Sequence, residues 1–322
     1  MSRWRTTLGT LVATTTALAV LAGCGGSDDR GTAASGPDKV AVGVIPIVDV
    51  APIYLGKQQG FFEDEGIDLS LETGQGGAAI VPGVASGQFQ FGFSNITSLL
   101  IASSKGLPIE VVAAGNSSTG KVGADFGAVV VPAGSSIKKP SDLVDKTVAV
   151  NTLNNIGSTT INKVVGDDGG DPTGIKYVEL GFPDMPGALA KKQVDAAWVV
   201  EPFLSITVAQ GATPVAWNFA GTDPDLMIAA YFTSEKTAKS DPDLVKRFTA
   251  AMNKSLEYAD GHPDEVRKVL STYTSVDAAT AAKLTLPRWP TQIDEHSFDL
   301  LADLAVQDGA LEKKPDIAAL LP

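Results

Sequence analysis

The chain has 322 residues, with 37 Asp and Glu against 25 Lys and Arg, two histidines and a single cysteine. One cysteine rules out an internal disulfide and a thiolate metal site, and two histidines leave little for imidazole chemistry. A net charge of −12 argues against nucleic acid as a partner, because binding a polyphosphate takes a basic face.

The first elements are not part of a fold. Arg3 and Arg5 make a positive start, and residues 6–22 are uncharged but rich in Thr. That stretch is too short and too polar for a good membrane span, which takes roughly 20 apolar residues. It ends in Leu21-Ala22-Gly23-Cys24. This run resembles the bacterial lipoprotein lipobox at all four positions. The resemblance implies a signal peptide over 1–23 and a Cys24 thiol that carries diacylglycerol and becomes the new N-terminus. The alternative is an ordinary secreted chain with a stray cysteine. One acyl chain holds a bilayer only marginally, so a stable anchor needs more than one. Residues 24–39 are rich in Gly, Ser, Asp and Thr and are expected to form a flexible tether.

From residue 40 apolar runs alternate with helical segments, which predicts an α/β fold with mostly parallel sheets. Strands are expected at 40–45, 67–72, 89–93 and 109–114. Helices are expected at 52–59, 78–85 and 96–105, with Gly60, Gly87 and Gly106 at or near their ends. The pattern then restarts. Strands are expected at 147–150, 175–180, 196–200 and 213–217, and helices at 158–165, 186–192 and 202–210. Residues 85–94 parallel 190–199, and 105–112 parallel 210–216, each as helix end, turn and strand. Two lobes of similar design are therefore expected in tandem. Residues 127–132 read as a strand passing between them, with 226–232 as its return partner in a hinge. The tail is helical. Asp241-Pro242 opens a helix whose Leu244, Phe248, Met252 and Leu256 share a face, and further helices follow from His262-Pro263 and from about Asp294. Both histidines sit at helix starts and read as structural.

Ligands in such a fold bind where strand ends meet helix starts, because unpaired N–H groups point there. The rule selects Pro46 and Asp49 after the first strand, Asp49 either meeting a ligand or capping the helix at Pro52. It selects Gly76 and Gly77, whose bare backbone suits an anion. The run Gly74-Gln-Gly76-Gly77-Ala-Ala79 loosely fits a dinucleotide pattern, but the expected acid is missing about 20 residues on. It selects Ser94 and Asn95, which also read as a cap, and Asn116. In the second half Asn154, Gly157, Ser158 and Thr159 bring amides, hydroxyls and N–H groups together, which is good anion-binding chemistry. Asp184 reads as a ligand contact or an N-cap. Trp198 stacks on a ligand or seals the hinge, and Glu201 meets the ligand or bridges the lobes. No nucleophile elbow, metal-ligand spacing or P-loop occurs, so no catalytic residue, metal or cofactor is expected.

Several segments carry a family resemblance. They are Gly60-Phe61-Phe62 with Gly66-Ile67-Asp68-Leu69, and Val84-Ala85-Ser86-Gly87-Gln88-Phe89. Val131-Pro132 follows, with Ser141-Asp142-Leu143 running into Lys146-Thr147-Val148-Ala149-Val150. Met185-Pro186, Val194-Asp195-Ala196-Ala197 and Glu201-Pro202 complete the set. Together they resemble the extracytoplasmic solute-binding proteins of ABC importers for nitrate, aliphatic sulfonate and taurine, a superfamily that includes thiamine-pyrimidine binders. One departure is Val144-Asp145, where the family usually has Lys-Gly.

The resemblance implies a two-lobed type II periplasmic-binding fold, with two mixed, mostly parallel sheets flanked by helices and a two-strand hinge. Lobe I is expected over 40–131 and 230–322, and lobe II over 132–229. It also implies a monomer that delivers a small-molecule solute to an ABC permease and ATPase. A small organic anion, such as a sulfonate, taurine, a nitrate-like ion or an aromatic carboxylate, is the expected solute. A neutral heteroaromatic is the alternative, and a secreted enzyme on this fold is a distant third. The expected location is the extracytoplasmic face of the cell membrane. A Cys24→Ser variant is then expected to keep its solute affinity while the protein moves from the membrane to the medium, as read by fractionation and immunoblot.

Overall fold

The computed structural model describes residues 36–322. The signal peptide, Cys24 and most of the tether lie outside the described residues. Ten strands form two five-stranded sheets. They are β1 (Asp38–Val44), β2 (Ile67–Thr73), β3 (Phe91–Asn95), β4 (Ile109–Ser117), β5 (Gly127–Val131), β6 (Thr147–Val150), β7 (Lys176–Glu179), β8 (Ala196–Val200), β9 (Thr213–Ala216) and β10 (Met227–Ser234). The first sheet runs β2-β1-β3-β10-β4 and the second β7-β6-β8-β5-β9. In the first, β1 pairs parallel with β2 and β3, while β10 runs antiparallel to β3 and β4. The second repeats this, with β5 as the antiparallel strand between β8 and β9. The sequence parallels of the two halves therefore fall on equivalent strands, β3 with β8 and β4 with β9.

Helices cover both sheets, as near-continuous apolar strands require. The strands β3, β5, β8 and β10 are buried along their whole length. The helix Pro242–Gly261 begins on an Asp241 cap, whose side chain accepts from the Leu244 N–H at 3.1 Å. Its buried Phe248 stacks on Phe91 of β3 with centroids 3.8 Å apart, so this part of the tail packs on the first lobe. β3 starts two residues later than its apolar pattern suggests. Before it, Gln90 joins the ladder through its own backbone and side chain, its N–H donating to the Ala41 carbonyl at 2.9 Å and its Oε1 accepting from the Ala41 N–H at 2.8 Å. Asp145, where the family usually places glycine, sits at a φ of 62°, a left-handed conformation that glycine takes without a Cβ penalty.

The hinge differs from the expected strand pair. β5 lies inside the second sheet and β10 inside the first, and they do not pair with each other. The changeovers expected after residues 131 and 229 move to 118–126 and 217–226. These two crossings touch, because the Ser118 N–H donates to the Leu226 carbonyl at 2.9 Å. Asp125, fully buried, ties them together. Its carboxyl accepts from Ser118 Oγ at 2.7 Å, the Thr119 N–H at 3.0 Å and the Phe126 N–H at 2.9 Å in the first crossing, and from the Ala220 N–H at 3.1 Å in the second. Arg288 clamps the same place from the tail. Its backbone exchanges two bonds with Ser117, and its guanidinium reaches the Ser118 and Pro224 carbonyls and Asp225. Removing one partner from such a buried network strands the others. Asp125→Ala is expected to lower the unfolding free energy by about 3 kcal/mol, measured by urea denaturation.

Candidate functional site

The cleft between the lobes closes on a small enclosed cavity. The first lobe contributes Ile45, Ile47 and Asp49 after β1, Phe93 and Asn95 of β3, and Ile228 and Ala229 of β10. The second contributes Asn151 after β6, Ile156, Phe182, Trp198 and Val200 of β8, and Phe219. Its free volume is about 20 Å³, room for about one water, so the lobes must part to admit a solute. Most of the lining is apolar, and it contains no lysine or arginine. On the second lobe the floor is aromatic. Trp198 packs edge-on against Phe219 at 5.7 Å and tilted against Phe182 at 5.4 Å, and its buried indole N–H has no partner.

Asp49 is the one charged side chain in the lining. It sits in a single helical turn, Val48–Val50, whose backbone is held by a bond from Trp289 Nε1 to the Asp49 carbonyl at 3.2 Å. Its Oδ1 accepts from Asn116 Nδ2 at 3.0 Å, while its Oδ2 and the Asn116 Oδ1 have no partner. Burial pushes its pKa up to about 7, against the lowering effect of hydrogen bonds from its own backbone and Asn116; the nearby Asp125 adds to the rise. Asp49 therefore does not cap the following helix, whose N-cap position is Val50.

The other predicted residues divide. Asn95 caps its helix as expected, its Oδ1 accepting from the Ser98 N–H at 2.9 Å, and also lines the cavity. Asn116 touches the cavity through Asp49. Trp198 forms a wall. Pro46 is half-buried, Asn154 is exposed at a φ of 50°, and Asp184 is exposed at an N-cap position without making a cap bond. Of the two expected anion cradles, the start at Gly76 and Gly77 carries no side-chain cap, and the other is capped by its own chain. At the start of the helix Ile156–Asp167, the Asn155 Oδ1 accepts from the Gly157 N–H at 3.0 Å, and Ser158 Oγ donates back to the Asn155 carbonyl. Thr159 is buried with a hydroxyl that has no partner. Gly77 exists for close packing, since a Cβ there would lie 2.0 Å from Ser94 Oγ. Glu201 bridges the lobes. Its carbonyl accepts from the Val48 N–H at 3.0 Å and its Oε1 from the Thr285 N–H at 3.3 Å.

Sequence reasoning missed the apolar lining, because Ile45, Phe93, Phe182 and Phe219 carry no signal that separates a cleft wall from a core. It also missed Asp125. Lys121 and Arg288, the cations at the crossings, stay out of the cavity. Lys121 is exposed, and Arg288 is spent on the crossings. Gly157 fits under Trp198 with no room to spare, since a Cβ would lie 2.5 Å from the indole. Gly157→Ala is expected to cost about 1–3 kcal/mol in urea unfolding. Gly166→Ala, in open space on the same helix, is expected not to destabilise.

The family model described as NMT1/THI5 like matches residues 47–266. A Bacillus subtilis (strain 168) protein named as an aliphatic sulfonates-binding protein is 23% identical over 314 residues, covering 92% of this chain and 90% of its own. A taurine-binding periplasmic protein of Escherichia coli (strain K12) is 25% identical over 207 residues, 63% of this chain and 61% of its own. The alkanesulfonate-binding protein SsuA of Xanthomonas axonopodis pv. citri, solved bound to MOPS, shares the fold with a TM-score of 0.77 at 19% identity, over 90% of this chain and 99% of that one. These relatives are solute-binding proteins and not enzymes.

Proposed function

The chain belongs to the NMT1/THI5-like family, and from its cleft we propose that it is the solute-capturing component of an ABC importer that takes a small, flat, uncharged or weakly basic heteroaromatic. The observation that carries the solute class is the buried Asp49 carboxyl, with one oxygen unpartnered, facing an aromatic wall and no cation. A sulfonate or carboxylate brought here would meet a carboxyl group and no charged donor to offset its desolvation. A ring lying against Trp198 and Phe182 would bury apolar surface, and a ring N–H would supply Asp49 Oδ2 with its missing donor. The sulfonate and taurine relatives favour the anion reading, with the Trp198 N–H as the lone free donor on the second wall.

Closing of the lobes follows from differential affinity. A solute that touches both walls favours the closed form by the contacts it makes only there. The Leu21-Ala22-Gly23-Cys24 run supports a lipid anchor on the outer membrane face. Among the described residues no helix is long and apolar enough to cross a membrane. We read the protein as a monomer that presents its closed form to a permease.

Thermal-shift screening tests the solute class. Aminopyrimidines and related heteroaromatics are expected to raise the melting temperature, whereas taurine and alkanesulfonates are not. A ligand at 100 times its Kd adds about 2.7 kcal/mol. Asp49→Ala is expected to weaken the best heteroaromatic about 10- to 100-fold by calorimetry. Stabilisation by sulfonates alone would reverse the assignment.

A further inference from the structure

Solute recognition uses Asp49 and the aromatic wall and leaves one buried acid without a task. Glu201 follows β8 in the second lobe and is only 2% exposed. Every polar group around it is a donor or a carbonyl, and three elements meet there. From its own lobe, Ser205 donates its N–H to Oε2 at 3.0 Å and its hydroxyl to Oε1 at 2.8 Å. From the tail comes the Thr285 N–H at 3.3 Å. From the first lobe the Val48 N–H reaches the Glu201 carbonyl at 3.0 Å. The Glu201 N–H donates to the Phe126 carbonyl at 2.9 Å at the end of the first crossing. Two of these bonds, from Val48 and Thr285, span the seam between the lobes, because the tail ahead of Thr285 is held to the first lobe by Tyr273, which stacks on Tyr54 at 3.8 Å and donates to the Ile47 carbonyl at 3.0 Å, while Arg267 Nη2 donates to the Leu284 carbonyl at 3.4 Å.

We propose that Glu201 is a proton-linked latch, so that closing the lobes takes up a proton and the closed form gains ground as the pH falls. The physical cause is solvent. Parting the lobes breaks the Val48 and Thr285 bonds and opens the carboxyl to water, which favours its charged form. Closing returns it to a site without a cation against it. Burial there outweighs the bonds from Ser205 and Thr285, and pushes its pKa up to about 7. The charged groups along the facing segments are Asp49 beside Val48, Asp125 beside Phe126, Arg267 behind Leu284, and Lys283, two residues before Thr285 and exposed to solvent. The first two are acids and the third is directed at a carbonyl. The sign follows from linkage. A carboxyl whose pKa is higher in the closed than in the open form binds more protons when closed. Closure is therefore favoured below about pH 7, progressively down to the ordinary carboxylate range, and the advantage is lost as the pH rises through 7.

Amide hydrogen exchange on the solute-free protein tests this without knowledge of the solute, so the result is independent of the solute class. After correction for intrinsic rates, protection of the Val48 and Thr285 amides is expected to rise about tenfold from pH 8 to pH 6. Glu201→Gln, which mimics the protonated acid, is expected to remove that rise, and any remainder of it is expected to vanish when Asp49→Asn is added. Amides within β5 serve as the marker of intact fold. Equal protection of wild type at pH 8 and pH 6, or a full wild-type rise in Glu201→Gln, would overturn the proposal. Should Glu201→Gln not fold, Asp49→Asn alone decides: it is expected to keep most of the wild-type rise, and loss of the rise there would overturn the proposal.

Discussion

The molecule depends on one buried carboxyl. Both crossings are short stretches whose middles are exposed and whose ends, at Ser118, Asp125, Phe126 and Asn218–Ala220, enter the interior, where each unpaired N–H costs free energy. Asp125 resolves this by collecting four donors from both crossings on two oxygens. The result is a knot with two strands of chain entering and leaving, flanked on one side by the β4–β10 ladder, whose register includes Ser117 with Met227, and on the other by the β5–β9 ladder. β5 and β10 each begin where a crossing ends, so the knot also fixes where each antiparallel strand enters its sheet. The position of the cleft follows, since its walls are the ends of strands that the two sheets aim at each other.

Chemistry in the cleft is set by what those strand ends carry. On one side stands an acid beside an amide, on the other an indole and two phenyl rings. Two of the helix starts that usually welcome anions are capped by their own chain, by Asn155 and by Asn95, while the start at Gly77 has no side-chain cap. An anion at the capped starts would have to displace bonds the protein already makes, while a flat ring would need only the parting of apolar surfaces.

Much of the fold was legible because its signals are local. A helix end, a short turn and an apolar strand occur together at 85–94 and again at 190–199, and the structure places both at equivalent positions. The hinge was not legible. Asp125 accepts from Ala220, 95 residues away, and nothing near Asp125 in the chain announces that partner. The site was legible in part. Asp49, Asn95 and Trp198 were found by the rule that strand ends face the cleft. At the glycine- and hydroxyl-rich starts Gly77 and Gly157 also answer to the side chains of Ser94 and Trp198 pressing on them, a packing demand that looks identical in sequence to an open anion cradle. The bond from Glu201 to Thr285 joins segments 84 residues apart, so its role as a bridge was named as one reading but its partner was not.

One contact across the cleft sets a limit on selectivity. Gly76 of the first lobe faces Asn151 and Thr152 of the second, where a Cβ would come within 3.0 Å of the Asn151 amide, and Asn151 also donates to the Gln75 carbonyl at 3.4 Å. Backbone meets side chain there, so without cargo the two halves rest on each other, and a solute larger than a water holds them further apart. A jaw with a built-in stop has a least opening. It gives no further grip to anything thinner, which makes residue 76 the place where that opening would be re-gauged for a thicker molecule.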